Sequence, residues 1–132
     1  MKILFICKHN RFRSKIAEAY FNKINKKIKA ISAGLIKGKP TPLNTVKTAK
    51  RLGIKISRKT KPIEESLLES KDLKYIIITA DDVPKQIFNR FNKKLIVWKI
   101  KDASALNFKD IEKRIKEIIR KVSQLNKNLK EK

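Results

Sequence analysis

The chain has little cysteine, little histidine and few acids: one Cys, one His and twelve Asp plus Glu in 132 residues. Each scarcity excludes something. A single thiol cannot form an internal disulfide, so a reducing compartment, the cytoplasm, is expected. One Cys and one His, with no carboxylates paired around them, fall short of a metal site. No metal or organic cofactor is therefore expected. No apolar run approaches the roughly 20 residues of a membrane-spanning helix. The apolar segment from Ile3 to Ile6 is too short for a secretory leader and is not followed by a small-residue cleavage site.

The other side of the acid shortage is basic charge. Thirty-five Lys and Arg give a net charge of +23. Such charge can be the footprint of nucleic acid or an acidic membrane. It can equally be a lysine-rich surface, as in thermophile proteomes. The charge is spread along the whole chain, without interleaved aromatics for base stacking and without a zinc-finger, helix-turn-helix or RNA-binding signature. Nonspecific polyanion binding is expected as a side effect, and no membrane partner.

Short apolar runs alternate with helical patterns. KILFI (2–6), IKAIS (28–32), YIIIT (75–79) and KLIVWKI (94–100) read as strands, and the continuous ones as strands buried on both faces. Helical spacing follows Ser14, with Ile16, Ala17, Tyr20, Phe21 and Ile24. Thr41 can cap a helix that opens on Pro42 and stops at Gly53. PIEESLLES (62–70) suggests a short helix, and ADDVPKQIFNRF (80–91) a loop and helix. The last helix carries Ile111, Ile115, Ile118, Ile119, Val122 and Leu125 on one face. This order predicts an α/β fold: one domain over 1–125, a three-layer open sheet of four parallel strands with helices on both faces. The residues 126–132, NKNLKEK, read as a disordered basic tail. Ligands of such sheets bind beyond the carboxyl ends of the strands, where Cys7, Asp81 and Asp102 fall.

Cys7 to Arg13 reads C-K-H-N-R-F-R, then Ser14 and a helix. A loop of this length between strand and helix can turn its N–H groups inward around an oxyanion. The helix start adds its positive dipole end, and Arg13 a planar fork for two oxygens. The same surroundings favour a thiolate, which makes a cysteine nucleophilic. Read blandly, Cys7 is a small core residue that ends a strand. Ser14 fits both a helix N-cap and a hydroxyl donor to the thiolate. Asn10 suits a left-handed position in a tight cradle. His9 reads as loop packing.

The stretch ICKHNRFRSKIAEA resembles the signature of the low-molecular-weight protein tyrosine phosphatase superfamily, which includes thiol-dependent arsenate reductases. HN after Cys7 and AEA after Ser14 resemble its arsenate-reductase-like branch, and AISAG, GIKIS, DLKYIIITAD and VWKIKDAS continue the likeness along nearly the whole chain. The resemblance implies the phosphotyrosine protein phosphatase I-like fold and a cysteine-dependent phosphatase working through a phosphocysteine. By it, Cys7 is the nucleophile, Arg13 binds the equatorial oxygens, and Asp102 is the general acid and then the base. The loop Lys8, His9, Asn10, Arg11, Phe12, Arg13 and Ser14 would bind phosphate. Asn10 and Ser32 would brace the loop, and Ser14 would support the thiolate. Asp81 would assist at the site or, with Asp82, cap a helix starting near Val83.

The implied partners are a phosphate ester or phosphoprotein substrate and inorganic phosphate or arsenate, with the protein a monomer. The pattern departs from the tyrosine phosphatases at His9, usually glycine, and at Ala103, usually proline. Aromatic residues of a phosphotyrosine slot have no clear counterparts, although Trp98 lies near the acid in sequence. The alternatives to the phosphatase are an arsenate reductase, which with one cysteine would need an external thiol, and a catalytically idle oxyanion- or polyanion-binding protein.

Overall fold

A computed structural model of the chain describes residues 1–130. Four strands, β1 (Lys2–Cys7), β2 (Lys29–Gly34), β3 (Leu73–Ile78) and β4 (Lys94–Val97), form one sheet in the order β2-β1-β3-β4. Every pairing is parallel. β1 and β3 occupy the centre, which explains why KILFI and YIII are apolar on both faces.

Through the middle of the central strands the two faces sort the residues by parity. Ile3, Phe5 and Ile77 pack with Ile16, Ala17 and Phe21 of α1 (Arg13–Ile24) and with the apolar face of α4 (Phe108–Lys130). Phe5 also packs between Phe21 and Trp98 in tilted ring contacts, at centroid distances of 6.1 and 5.9 Å. Trp98 is thus a core partner of the sheet. On the opposite face, Leu4, Ile6, Ile76 and Ile78 meet Leu68 of α3 (Glu65–Glu69) and Val83 and Phe88 near a 3₁₀ turn, Lys85–Phe88. Each such side chain removed from water contributes roughly 1.5–3 kcal/mol. The fold is the expected single-domain α/β sheet with helices on both faces. No helix among the described residues is long and apolar enough to cross a membrane.

Local expectations shift in four places. α4 continues to Lys130, so residues 126–130 are helical where a disordered tail was expected; 131 and 132 lie outside the described residues. Asn126 is buried and its Oδ1 accepts from Asn25 Nδ2 at 2.9 Å, while Leu129 packs on the core. These contacts anchor a segment whose composition alone reads as solvated. The helix expected after ADDVP is only the 3₁₀ turn, too short a stretch to repay helix nucleation. α2 (Leu43–Arg51) is flanked by Pro42 at its N-cap rather than by Thr41. Its end is as expected: Gly53 takes φ +83 just past the helix, the left-handed turn that glycine accepts freely. Finally, Ser14 lies inside α1, whose N-cap is Phe12, so Ser14 is not a helix cap.

Candidate active site

β1 delivers Cys7 to its carboxyl end, and the chain curls through residues 8–12 into α1. The curl depends on Asn10, whose φ of 56° is the one left-handed non-glycine conformation among the described residues. A left-handed residue within a tight turn is the backbone pattern from which anion nests are built. Two glycines permit the close fit behind it. A Cβ on Gly34 would lie 2.7 Å from the carbonyl carbon of His9, and one on Gly38 would lie 2.6 Å from its oxygen. Leu35 and Ile36 extend the β2 pairing by donating to the carbonyls of Cys7 and Lys8 at 3.1 Å each.

The Asn10 side chain cross-braces the loop. Its Nδ2 donates to Ser14 Oγ at 2.8 Å and to Ser32 Oγ at 3.0 Å, and its Oδ1 accepts the Lys61 N–H at 3.1 Å. Ser14 Oγ lies 3.0 Å from Cys7 Sγ. The structure therefore brings Cys7, Asn10, Ser14 and Ser32 together in one buried hydrogen-bonded group. The second role considered for Ser14, contact with the sulfur, is the one its position allows.

Arg13, only 3% exposed, closes the cradle. Its Nη1 donates to the Ile100 carbonyl at 2.9 Å and to Asp81 Oδ1 at 3.4 Å, and its Nη2 to Asp82 Oδ1 at 3.3 Å. Asp102 Oδ2 lies 3.9 Å from the same Nη2. Three carboxylates thus surround one buried guanidinium. Asp81 and Asp82 do not cap a helix, because the 3₁₀ turn starts after Pro84 without a side-chain cap. They hold the arginine instead.

Cys7, His9, Arg11, Arg13 and Asp102 line one pocket of about 70 Å³. At roughly 10–15 Å³ per water, it has room for a tetrahedral oxyanion. His9 is half-buried in its wall, Phe12 is buried, and Lys8 is exposed at the rim. Arg11 Nη2 donates to the Pro40 carbonyl at 3.3 Å. The segment that follows Asp102 is tied to α2 and α4: Asn44 Nδ2 donates to the Ala105 carbonyl at 3.1 Å, and the Ser104 N–H to Asp110 Oδ2 at 3.0 Å. Asp102 remains exposed, with its Oδ1 accepting the Ala103 N–H.

Three site neighbours escape a reading of the sequence by motif. Asp82 carries a faint signal, the doubled acid after a strand. Glu18 accepts from Ser32 Oγ at 2.5 Å. Lys15 is buried beside the loop, where its Nζ donates to Ser57 Oγ and the Lys59 carbonyl. Burial holds its ammonium below the ordinary lysine range; Glu18 opposes that shift, and Lys61 adds to it.

A parallel sheet whose first strand ends in a cysteine-headed loop, closed by a buried arginine, defines the class as a single-domain α/β protein with helices on both faces of the sheet. The particular family follows from the sequence: the model of the low molecular weight phosphotyrosine protein phosphatase family matches residues 2–132, and the chain belongs to that family. None of the curated proteins matches.

Among solved structures, the chain is similar to a low molecular weight protein tyrosine phosphatase from T. tengcongensis, with 22% identity, 97% of this chain and 99% of that one covered, and a TM-score of 0.84. It is similar to an arsenate reductase from Archaeoglobus fulgidus at 25% identity, covering 93% and 97%, with a TM-score of 0.75. It also resembles a mutant YwlE arginine phosphatase with a phosphorylated active-site serine, at 21% identity, 98% and 96% coverage and a TM-score of 0.84.

Proposed function

We propose that the protein is a cysteine-dependent phosphatase that hydrolyses phosphate monoesters through a phosphocysteine. The observation that carries this reading is that Cys7, Arg13 and Asp102 line the same small pocket. The Cys7 thiolate, accepting a hydrogen bond from Ser14, attacks phosphorus in line with the ester oxygen. The loop N–H groups from Lys8 to Ser14 and the Arg13 fork bind the three remaining oxygens, where charge gathers in the transition state. Asp102 gives its proton to the departing ester oxygen as the P–O bond breaks. As a carboxylate it then takes a proton from water, which attacks the phosphocysteine and releases phosphate and thiolate. Asn10 and Ser32 keep the loop in shape, and Asp81 assists by orienting Arg13. No metal or organic cofactor enters this scheme.

The basic rim, with Lys8 exposed and Arg11 in the pocket wall, favours acidic phosphoproteins or highly charged esters. Its other consequence is weak polyanion binding. A monomer in the cytoplasm is the setting that one unpaired thiol suits best.

A second reading rests on the shared shape of phosphate and arsenate and on the similarity to an arsenate reductase. Arsenate would join Cys7 through an S–As bond as one As–O bond breaks and that oxygen leaves, protonated, as water. An external thiol would attack the Cys7 sulfur, so that arsenite leaves with the electron pair, and a second thiol would reduce the mixed disulfide.

A side-by-side assay of an aryl phosphate and of arsenate, with and without small thiol, separates these readings. Ester hydrolysis that needs thiol only to keep Cys7 reduced is the expected result. Arsenite formation scaling with thiol, with negligible hydrolysis, would overturn it. Cys7→Ser abolishes turnover, and Asp102→Asn slows it by about a hundredfold, within the usual range for a general acid.

A further inference from the structure

We infer that Glu18 is a positioning residue that sets the direction of the hydrogen-bond chain ending on the Cys7 sulfur. The chain runs Glu18, Ser32, Asn10, Ser14, Cys7. Its direction follows from counting protons. The Lys61 backbone N–H can only donate, so the Asn10 atom facing it is Oδ1. Both protons of Nδ2 are then committed, one to Ser14 Oγ and one to Ser32 Oγ. Each hydroxyl oxygen accepts, and each must send its own proton elsewhere. For Ser32 the acceptor is Glu18 Oε1 at 2.5 Å; for Ser14 it is Cys7 Sγ at 3.0 Å.

Without Glu18, the Ser32 proton loses its acceptor. It then competes for the Asn10 amide, whose reorientation would turn the Ser14 proton away from sulfur. Glu18 reaches Ser32 because it lies one turn beyond Ser14 on α1, an i, i+4 spacing that puts both on one helical face. The charged groups around it are Lys15 on its own helix and Lys55, Lys59 and Lys61, which line the same cavity.

This inference rests on the reading of Cys7 as a thiolate nucleophile, and its test separates the two. Glu18→Gln removes the charge but keeps an acceptor for Ser32, whereas Glu18→Ala removes both. The readouts are the rate of Cys7 alkylation by iodoacetamide at pH 6 and the thiolate absorbance near 240 nm. Glu18→Ala is expected to react more slowly than Glu18→Gln by roughly three- to tenfold, the worth of one hydrogen bond. In a Ser14→Ala background the two variants become equal, as a double-mutant cycle requires if Ser14 carries the effect. Ser32→Ala removes the competing proton itself without altering α1, and should therefore react faster than Glu18→Ala.

Equal rates for the Gln and Ala variants with Ser14 present would overturn the inference. So would a difference that survives in Ser14→Ala, since Glu18 would then act by another route. An intact alkylation pattern in a protein that hydrolyses no phosphate ester would sink the phosphatase reading and leave this one standing.

Discussion

Arg13 Nη2 lies 3.3 Å from Asp82 Oδ1, and through this contact a residue adjacent to the third strand competes for the arginine assigned to bind substrate. An incoming oxyanion must share the guanidinium with Asp82, Asp81 and Asp102. Asp82 is partly exposed, so its pull is modest, about 0.2–1 kcal/mol for such pairs. Asp82→Asn is expected to tighten inhibition by inorganic phosphate by about two- to fivefold. Weaker phosphate inhibition in this variant would mean that Asp82 chiefly orients Arg13.

The contact between Ser14 Oγ and Cys7 Sγ at 3.0 Å predicts a second outcome. A hydrogen bond to a charged group contributes roughly 1.5–3 kcal/mol. Ser14→Ala should lower kcat by about ten- to a hundredfold, alongside a stability loss of about 1–3 kcal/mol because one Asn10 Nδ2 proton is left buried without its partner. Thermal melts and single-turnover kinetics distinguish this from a folding defect.

Lys15 gives a pH dependence with a defined sign. Its pKa in the fold is lowered from 10.5, first by burial. Above the folded value and below 10.5, the unfolded chain holds more protons than the native one, so stability rises with pH in that window. Urea unfolding of the wild type and of Lys15→Met between pH 7.5 and 10.5 tests it. The stability of the wild type relative to the variant should increase as pH rises; a decrease would show that interactions favouring the ammonium dominate.

The end of α4 supplies a further prediction. Asn126 bonds to Asn25 at 2.9 Å, and Asn25 Oδ1 also accepts the N–H groups of Lys27 and Ile28. Asn126→Ala leaves Asn25 Nδ2 buried without that partner, at a cost of about 1–3 kcal/mol. A chain ending at Leu125 should lose more, because the packing of Leu129 goes as well. Equal denaturation midpoints for the wild type and the truncated chain would return 126–130 to the status of a dispensable tail.

Much of this site is legible in the sequence because its key elements are contiguous. Cys7, Asn10, Arg13 and Ser14 fall within eight consecutive residues, from the end of β1 through the loop to the first turn of α1, and the apolar runs that flank them specify a buried parallel sheet. The strand-end position of Asp102 could be read from the sequence, but its role as the acid came only through resemblance, since it lies 89 positions from Arg13 and nothing in DAS by itself marks an acid that faces a pocket. Asp81 and Asp82 were open to reading as helix caps because capping is a local preference and their partner is distant. The same reasoning explains the misjudged tail: NKNLKEK is polar locally, but Asn126 finds its partner on another helix.

By itself, the sequence determined the order of strands and helices along the chain, the cysteine-headed basic loop after the first strand and the presence of a single thiol. These depend on side-chain periodicity, on residue type and on neighbours within a few positions. Tertiary structure alone decided which carboxylates meet Arg13, that Ser14 faces sulfur instead of capping a helix, and that Glu18 joins the chain through Ser32. Each of these contacts joins groups from separate elements. The partner of a buried donor is set by how helices and strands pack, which local preference does not encode.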